Sequence, residues 1–247
     1  MKYDFSDKVI VITGGTGALG RVLTKSFLSC NSKTIVVTYR SEKEMLELKT
    51  ELGGLMEQPL NISTTIEFTK VDVTRDDETK RSVSNIVERH GQIHVLINVV
   101  GSYIGGKSVT QLDESEWDRM ISINLKSAFL ISKHVIPVMV TNNYGKLVHI
   151  ASKTGLVSNG YDSAYAASKA GLIRFVESAY QEVKKSNINI NCILPTILDT
   201  ESNRKEMPNA DYSKWIKLED LSKVILFLSS DDSKIINGAA IPAYGLL

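Results

Sequence analysis

The stretch that most constrains this chain is its beginning. Lys8–Thr13 (KVIVIT) is a short β-branched run without polar alternation, the composition of a parallel strand buried on both faces. It runs into Thr13–Gly20 (TGGTGALG), after which an amphipathic helix is predicted over Arg21–Ser29. Strand, glycine-rich turn and helix, in that order, form the setting in which a glycine cluster can cradle a phosphate. Gly14 suits the tight turn, Ala18 keeps bulk away from a pyrophosphate, and Gly20 lets the helix approach the sheet. The helix N-terminus then presents N–H groups and a favourable dipole to an anion. A plain structural turn is the competing reading.

The rest of the chain repeats the alternation. Further strands are predicted at Thr34–Thr38, Thr64–Val71, Gln92–Asn98, Lys146–Ala151, Asn189–Leu194 and Ala239–Pro242. Helices are predicted at Glu42–Leu52, Asp77–His90, Leu218–Leu228, and from Asp162 or Ser163 to about Lys185. Glu114–Val140 reads as one long helix or a kinked pair, Gly53–Ser63 as a loop, and the segment after Pro195 through Trp215 as variable. There is no linker or repeat. The expected class is α/β: one domain over residues 1–247, a three-layer doubly wound parallel sheet of about seven strands with helices on both faces, the Rossmann fold.

Charge and composition narrow the partners. The net charge of +1 comes from interleaved acids and bases, so no basic stripe points to nucleic acid and no basic amphipathic helix to a membrane. The polar N-terminus lacks the apolar core of a signal peptide, and no apolar run approaches membrane-spanning length. Cys30 and Cys192 have neither metal nor redox spacing, and His90, His94, His134 and His149 share no ligand spacing. No metal is expected, and a reduced, cytoplasmic protein is the natural reading.

One stretch carries the chemistry. The strand ending at Ala151 delivers Ser152 to the carboxyl edge of the sheet, where α/β proteins place ligands. Tyr165 and Lys169 stand four apart in the first turns of the next helix and so share a face. A phenol titrates near ~10, and a nearby ammonium should lower that value. Such a phenol can give a proton to a carbonyl oxygen or take one from an alcohol, while a serine hydroxyl holds the same oxygen. Taken alone, Tyr and Lys at this spacing are usually surface packing.

Other candidates lie at strand ends. Tyr39, Arg40 and Ser41 follow the second strand; with no acid and one arginine there, NADP is favoured over NAD, unless Arg40 is an ordinary loop residue. Asp72 could receive an adenine amino group or cap the next helix. Asn124, inside a helix, needs a partner or serves a surface or capping role.

At this point the chain resembles the short-chain dehydrogenase/reductase family, over essentially its whole length. The glycine motif matches at Thr13, Gly14, Ala18 and Gly20, and the acid after the third strand at Asp72. The asparagine matches at Asn124, the serine at Ser152, and YxxxK at Tyr165 and Lys169. The resemblance implies that Tyr165 is the general acid/base and Ser152 orients the carbonyl. Lys169 would hold the nicotinamide ribose and tune Tyr165, and Asn124 would anchor a water in a proton relay. It also implies a cofactor set of Gly14, Thr16, Gly17, Ala18, Leu19, Tyr39, Arg40, Ser41, Asp72, Val73, Asn98, Val99, Gly101, Tyr165, Lys169, Pro195, Thr196, Ile197 and Thr200. A homotetramer, or else a dimer, is implied as well.

There are departures. The family's NNAG is Asn98-Val99-Val100-Gly101 here, its PG is Pro195-Thr196, and Gly17 stands where many NADP-using members carry a base. The expected function is NADPH-dependent reduction of a small-molecule or acyl-thioester carbonyl, most similar to the 3-oxoacyl thioester reductases. Substrate choice is expected in Ser102–Gly106, Lys153–Tyr161 and Thr196–Met207. The alternative is a non-catalytic nucleotide-binding sensor or scaffold on the same fold.

Overall fold

The first strand, β1 (Val9–Thr13), sets the pattern of the whole sheet. Ile10 and Ile12 enter one apolar core, while Val9 and Val11 enter the other. Side chains alternate across a strand, so an unbroken apolar run requires cover on both faces. The computed structural model describes residues 3–56 and 64–246, and provides that cover. The portion of the predicted loop at 57–63 lies outside the described residues.

Six more strands join β1: β2 (Thr34–Tyr39), β3 (Thr65–Lys70), β4 (Val95–Asn98), β5 (Gly145–Ile150), β6 (Ile188–Pro195) and β7 (Ala240–Ala243). All neighbours pair in parallel, in the order β3-β2-β1-β4-β5-β6-β7. The helices are α1 (Ala18–Leu28), α2 (Glu42–Met56), α3 (Asp76–His90), α4 (Glu114–Ile121), α5 (Ser127–Thr141), α6 (Ser163–Val183), α7 (Glu201–Glu206) and α8 (Leu218–Ser229). Leu23 and Phe27 of α1, Leu48 of α2 and Ile225 of α8 fill one core; Ile86 of α3, Val135 of α5 and Val176 of α6 fill the other. Phe27 is fully buried and meets Phe5 edge-on at 5.1 Å; cutting it back to alanine would cost about 3–5 kcal/mol.

The topology positions the site. The chain leaves β1 toward β2 on one side, and β4 adds on the other, so a crevice opens between the loops that follow β1 and β4. Those loops touch there. Gly14 has φ +63°, and a Cβ on it would lie 3.1 Å from Val100 Cγ2. A side chain at position 14 would meet both a backbone penalty and a neighbour.

Four details differ from the sequence-based expectation. Helix α1 starts at Ala18 with Gly17 as N-cap, so the glycine turn is itself the helix terminus. Helix α2 runs through Gly53 and Gly54 to Met56, where a loop is expected. The run Glu114–Thr141 is continuous and, by length and composition alone, reaches membrane-spanning size, against the expectation. Its Ala128, Ile131, Val135 and Met139 are packed into the second core, which identifies it as a core helix of the fold. Lastly, the segment after β6 contains α7, capped by the Thr200 hydroxyl accepting from Asn203 N–H at 3.1 Å.

Candidate active site

The floor of the crevice is a buried polar cluster built on an irregular helix. Between α4 and α5, Ser122–Lys126 winds as a π-helix, a widening that often marks a functional position. Asn124 lies in it and is fully buried. Its Oδ1 accepts from Ser102 N–H at 2.8 Å, and its Nδ2 donates to Ser102 C=O and Ser168 Oγ, both at 3.0 Å. A buried amide left without these partners would cost about 1–3 kcal/mol, so the asparagine ties the loop after β4 to α6. This settles the surface-or-capping alternative against both.

Lys169 completes the floor. It is buried, and its Nζ donates to Ile150 C=O at 2.7 Å. Burial in an apolar setting disfavours the ammonium and pulls its pKa down to about 8. Gly101 lies over both polar groups: a Cβ there would come within 3.2 Å of Asn124 Oδ1 and 3.3 Å of Lys169 Nζ. The glycine keeps the space above the lysine open.

Ser152 and Tyr165 form the next layer. Ser152 leaves β5 in extended conformation and opens a short 3-10 turn, its Oγ accepting from Thr154 N–H at 3.2 Å. The Ser152 hydroxyl is close enough to act on the Tyr165 phenol by hydrogen bonding, and Lys169 Nζ lies 5.8 Å from the Tyr165 ring centre. The four expected catalytic residues are thus brought together. The expected direction of the phenol's shift is not found, however. Burial raises the Tyr165 pKa above its ordinary value, Tyr103 and Asp162 add to the rise, and the Ser152 bond only offsets part of it.

The expected nucleotide residues line the crevice in two groups. Gly17 and Ala18 are exposed at the α1 terminus, whereas Thr16 and Leu19 are buried, Thr16 Oγ1 donating to Glu44 at 2.9 Å. Arg40 is exposed at the end of β2, between partly buried Tyr39 and Ser41. Burial, then Glu42, raises the Tyr39 phenol. Asp72 accepts from both the N–H and the hydroxyl of Thr74, at 3.0 and 2.7 Å. Burial pushes its carboxyl up, but those bonds and the charges of Arg40 and Arg75 leave it below its ordinary value. It does not cap α3, whose N-cap is Arg75. Val73 is buried beside it.

On the other side, Asn98 is buried in the sheet, its amide engaged by Thr13 Oγ1 at 2.5 Å and His149 Nδ1 at 3.3 Å. Its side chain is therefore committed to the protein, leaving main-chain atoms for a ligand. Val99 and Gly101 follow it into the crevice. Pro195 ends β6; Thr196 Oγ1 donates to Tyr244 C=O at 2.8 Å, Ile197 C=O accepts from Ile216 N–H at 3.0 Å, and Thr200 caps α7. Among the described residues no group of three or more His, Cys, Asp and Glu side chains could hold a metal.

Comparison with known proteins decides the family: the model described as short chain dehydrogenase matches residues 8–211. The chain belongs to the short-chain dehydrogenase/reductase family. It is similar to a 3-oxoacyl-[acyl-carrier-protein] reductase of Thermotoga maritima, 29% identical over 242 residues and covering 95% of each chain. A D-beta-hydroxybutyrate dehydrogenase of Rhizobium meliloti is 25% identical over 258 residues, covering 96% of this chain and 97% of the other. Among solved structures, a short-chain type dehydrogenase/reductase from Mycobacterium ulcerans superposes with a TM-score of 0.90 at 22% identity, over 100% of this chain and 90% of that one, a likeness of fold. The protein is an oxidoreductase of this family.

Three residues of this dehydrogenase/reductase site are not individually named by the sequence reading. Ser168 holds Asn124 and donates to Tyr165 C=O at 2.7 Å. Tyr103 meets the Tyr165 ring edge-on at 4.9 Å. Arg21 donates from Nε to Thr16 C=O at 2.8 Å while pairing with Glu47 and Glu51 of α2, and so fixes the glycine turn. Only Arg21 could have been singled out, as a base directly following the glycine motif.

Proposed function

We propose that this enzyme, acting as one dinucleotide-binding and catalytic domain, reduces a ketone or aldehyde with NADPH, giving the alcohol and NADP. The observation that carries the reading is the convergence of Ser152, Tyr165 and Lys169 over a floor tied together by Asn124. The residues fit a dinucleotide: glycines at 14, 17 and 101 leave room that a Cβ would narrow or a larger side chain would fill. The nicotinamide cofactor, when bound, supplies the hydride. This chain's residues do the rest. The Ser152 hydroxyl holds the carbonyl oxygen, and Tyr165 gives that oxygen its proton. Burial keeps the phenol protonated at neutral pH, which suits a proton donor and the reductive direction. Lys169 would hold the nicotinamide ribose and return a proton from solvent to Tyr165, while Asn124 fixes the loop and helix on either side of it.

Arg40 supports NADPH over NADH. It is an exposed guanidinium at the end of β2 with no acid beside it at positions 39 and 41, and guanidinium suits a 2′-phosphate. The relatives named as 3-oxoacyl-[acyl-carrier-protein] reductases support an acyl-thioester or related carbonyl substrate. Exposed Trp117, Phe129 and Val140 on α4 and α5 support a homotetramer, and two buried cysteines suit a reducing, cytoplasmic setting.

The test is parallel titration with NADPH and NADH, followed by cofactor oxidation with an acetoacetyl thioester, a simple diketone and a quinone. Tight NADPH binding with turnover is expected. Binding without turnover of any carbonyl would overturn the reductase reading in favour of a nucleotide-binding sensor, and preference for NADH would overturn the role of Arg40.

A further inference from the structure

The rim of the site differs from the rest of the surface. Four of the large apolar side chains that the fold leaves exposed belong to the two segments flanking the Ser152–Tyr165 pair: Tyr103 (59% exposed), Leu156 (49%), Val157 (63%) and Tyr161 (66%). The segments are joined, since Gly106 N–H donates to Tyr161 C=O at 2.7 Å. Tyr161 holds φ +59° and follows Gly160 at φ +89°, so the 156–161 segment turns sharply before α6. Scattered exposed apolar residues are ordinary, but a cluster at the mouth of a polar site is what a ligand would cover.

Tyr103 is the innermost of the four. Its ring stands edge-on to Tyr165 at 4.9 Å, a favourable arrangement for two aromatic rings. It folds back over Gly105, where a Cβ would fall 2.1 Å from the Tyr103 hydroxyl. Any substituent on a carbonyl held at Ser152 and Tyr165 that points along this side must therefore lie against Tyr103.

Two carboxylates stand near Tyr103, and two of the cations around the rim are paired with other acids. Asp162 and Glu206 are close enough for their carboxylates to act on the Tyr103 phenol. Lys107 pairs with Asp113 and Glu116, and Arg204 with Asp199 while lying over the Tyr212 ring. Lys153, next to Ser152, lies over the Tyr244 ring at 5.1 Å. An anionic substrate would approach Tyr103 past two carboxylates.

We infer that the substrate is an uncharged ketone carrying an aryl or similarly large apolar group, which seats against Tyr103 and the Leu156–Val157 turn. This rests on the carbonyl-reductase reading and names its substrate class. Acetoacetate and its esters share one reacting carbonyl but differ in charge, and an aryl group adds only apolar surface.

The experiment compares kcat/KM for ethyl benzoylacetate, ethyl acetoacetate and acetoacetate, with NADPH, in the full-length protein. The aryl ester is expected to lead and acetoacetate to trail it by roughly a hundredfold or more. Tyr103→Ala is expected to lower the aryl ester's kcat/KM roughly tenfold while changing ethyl acetoacetate by less than about threefold. Tyr103→Phe should keep the aryl preference, since the ring and not the hydroxyl makes the contact. Glu206→Gln should raise turnover of acetoacetate alone. Acetoacetate used as well as either ester, or an aryl preference that survives Tyr103→Ala, overturns the inference. Turnover of none of the three also overturns it, and only the loss of NADPH binding or of turnover across the wider carbonyl panel reaches the reading beneath it.

Discussion

The floor and the rim of the active site are built on opposite principles. On the floor, Asn124, Ser168 and Lys169 are buried and each bonds a partner that another element supplies: Ser102 from the loop after β4, Asn124 from the π-helix, Ile150 C=O from β5. At the rim, Tyr103, Leu156, Val157 and Tyr161 are exposed; the last three are held by backbone bonds and Tyr103 by its ring contact with Tyr165. Chemistry that moves a proton needs atoms fixed to fractions of an ångström, which a saturated hydrogen-bond network provides. Choice among substrates needs surface that can change without disturbing that network. The two regions meet at the ring pair Tyr103–Tyr165 and, one residue earlier, at the bonds between Ser102 and Asn124.

The comparison can be broken most severely at the floor. Asn124→Leu keeps the branched shape, though not the smaller size, and strands the Ser102 N–H and C=O while removing a donor from the Ser168 hydroxyl. We expect kcat/KM to fall roughly a hundredfold as the Gly101–Ser102 turn shifts, and urea denaturation to report a loss of about 1–3 kcal/mol. A variant with wild-type stability and activity would show that the network is ornamental.

Below the floor the polar chain continues into the sheet through Thr13, Asn98, His149 and Ser132. Burial holds His149 down to about 4, and His94, buried at the other end of the sheet, likewise. Unfolded imidazoles titrate near ~6.5. The native state therefore refuses protons that the unfolded chain accepts, and stability present above pH 6.5 is lost as pH falls toward 4. Between pH 6.5 and 5 the loss should reach about 2 kcal/mol per imidazole. Urea midpoints at these two pH values check it, and His149→Asn should flatten about half of the dependence. No rim substitution should alter it.

The smallest expected effect lies at the outer edge. Arg40→Ala should weaken NADPH roughly tenfold and leave NADH unchanged, read by fluorescence titration. Equal weakening of both would assign Arg40 to the fold and not to the 2′-phosphate.

The same contrast governs what the sequence made legible. β-Branched runs, glycine spacing and alternation of strand with helix are local, and they located all seven strands to within a few residues. Ser152, Tyr165, Lys169 and Asn124 stood out chiefly through the resemblance of the chain to the short-chain dehydrogenase/reductase family, since Tyr and Lys at this spacing are by themselves ordinary. What was hidden depends on distant partners. The π-helix at Ser122–Lys126 accompanies bonds from Asn124 to residues 22 and 44 positions away. Helix α2 carries Gly53 and Gly54, poor helix formers whose placement propensity alone does not give. The upward shift of Tyr165 follows from burial, which spacing does not reveal. The position of Tyr103 against Tyr165 depends on how one loop folds over Gly105.

We propose that Tyr165 carries out the proton transfer and that its hydroxyl contributes little to nucleotide affinity. Tyr165→Phe removes one oxygen and keeps the ring that meets Tyr103. Its NADPH affinity and its single-turnover rate with ethyl benzoylacetate, or with the fastest carbonyl of the panel, should be measured on the same preparation. We expect a rate lower by roughly 10²–10⁴-fold with NADPH affinity within about twofold of wild type. A rate within about threefold of wild type would contradict it, and the proton donor would have to be sought elsewhere in the crevice.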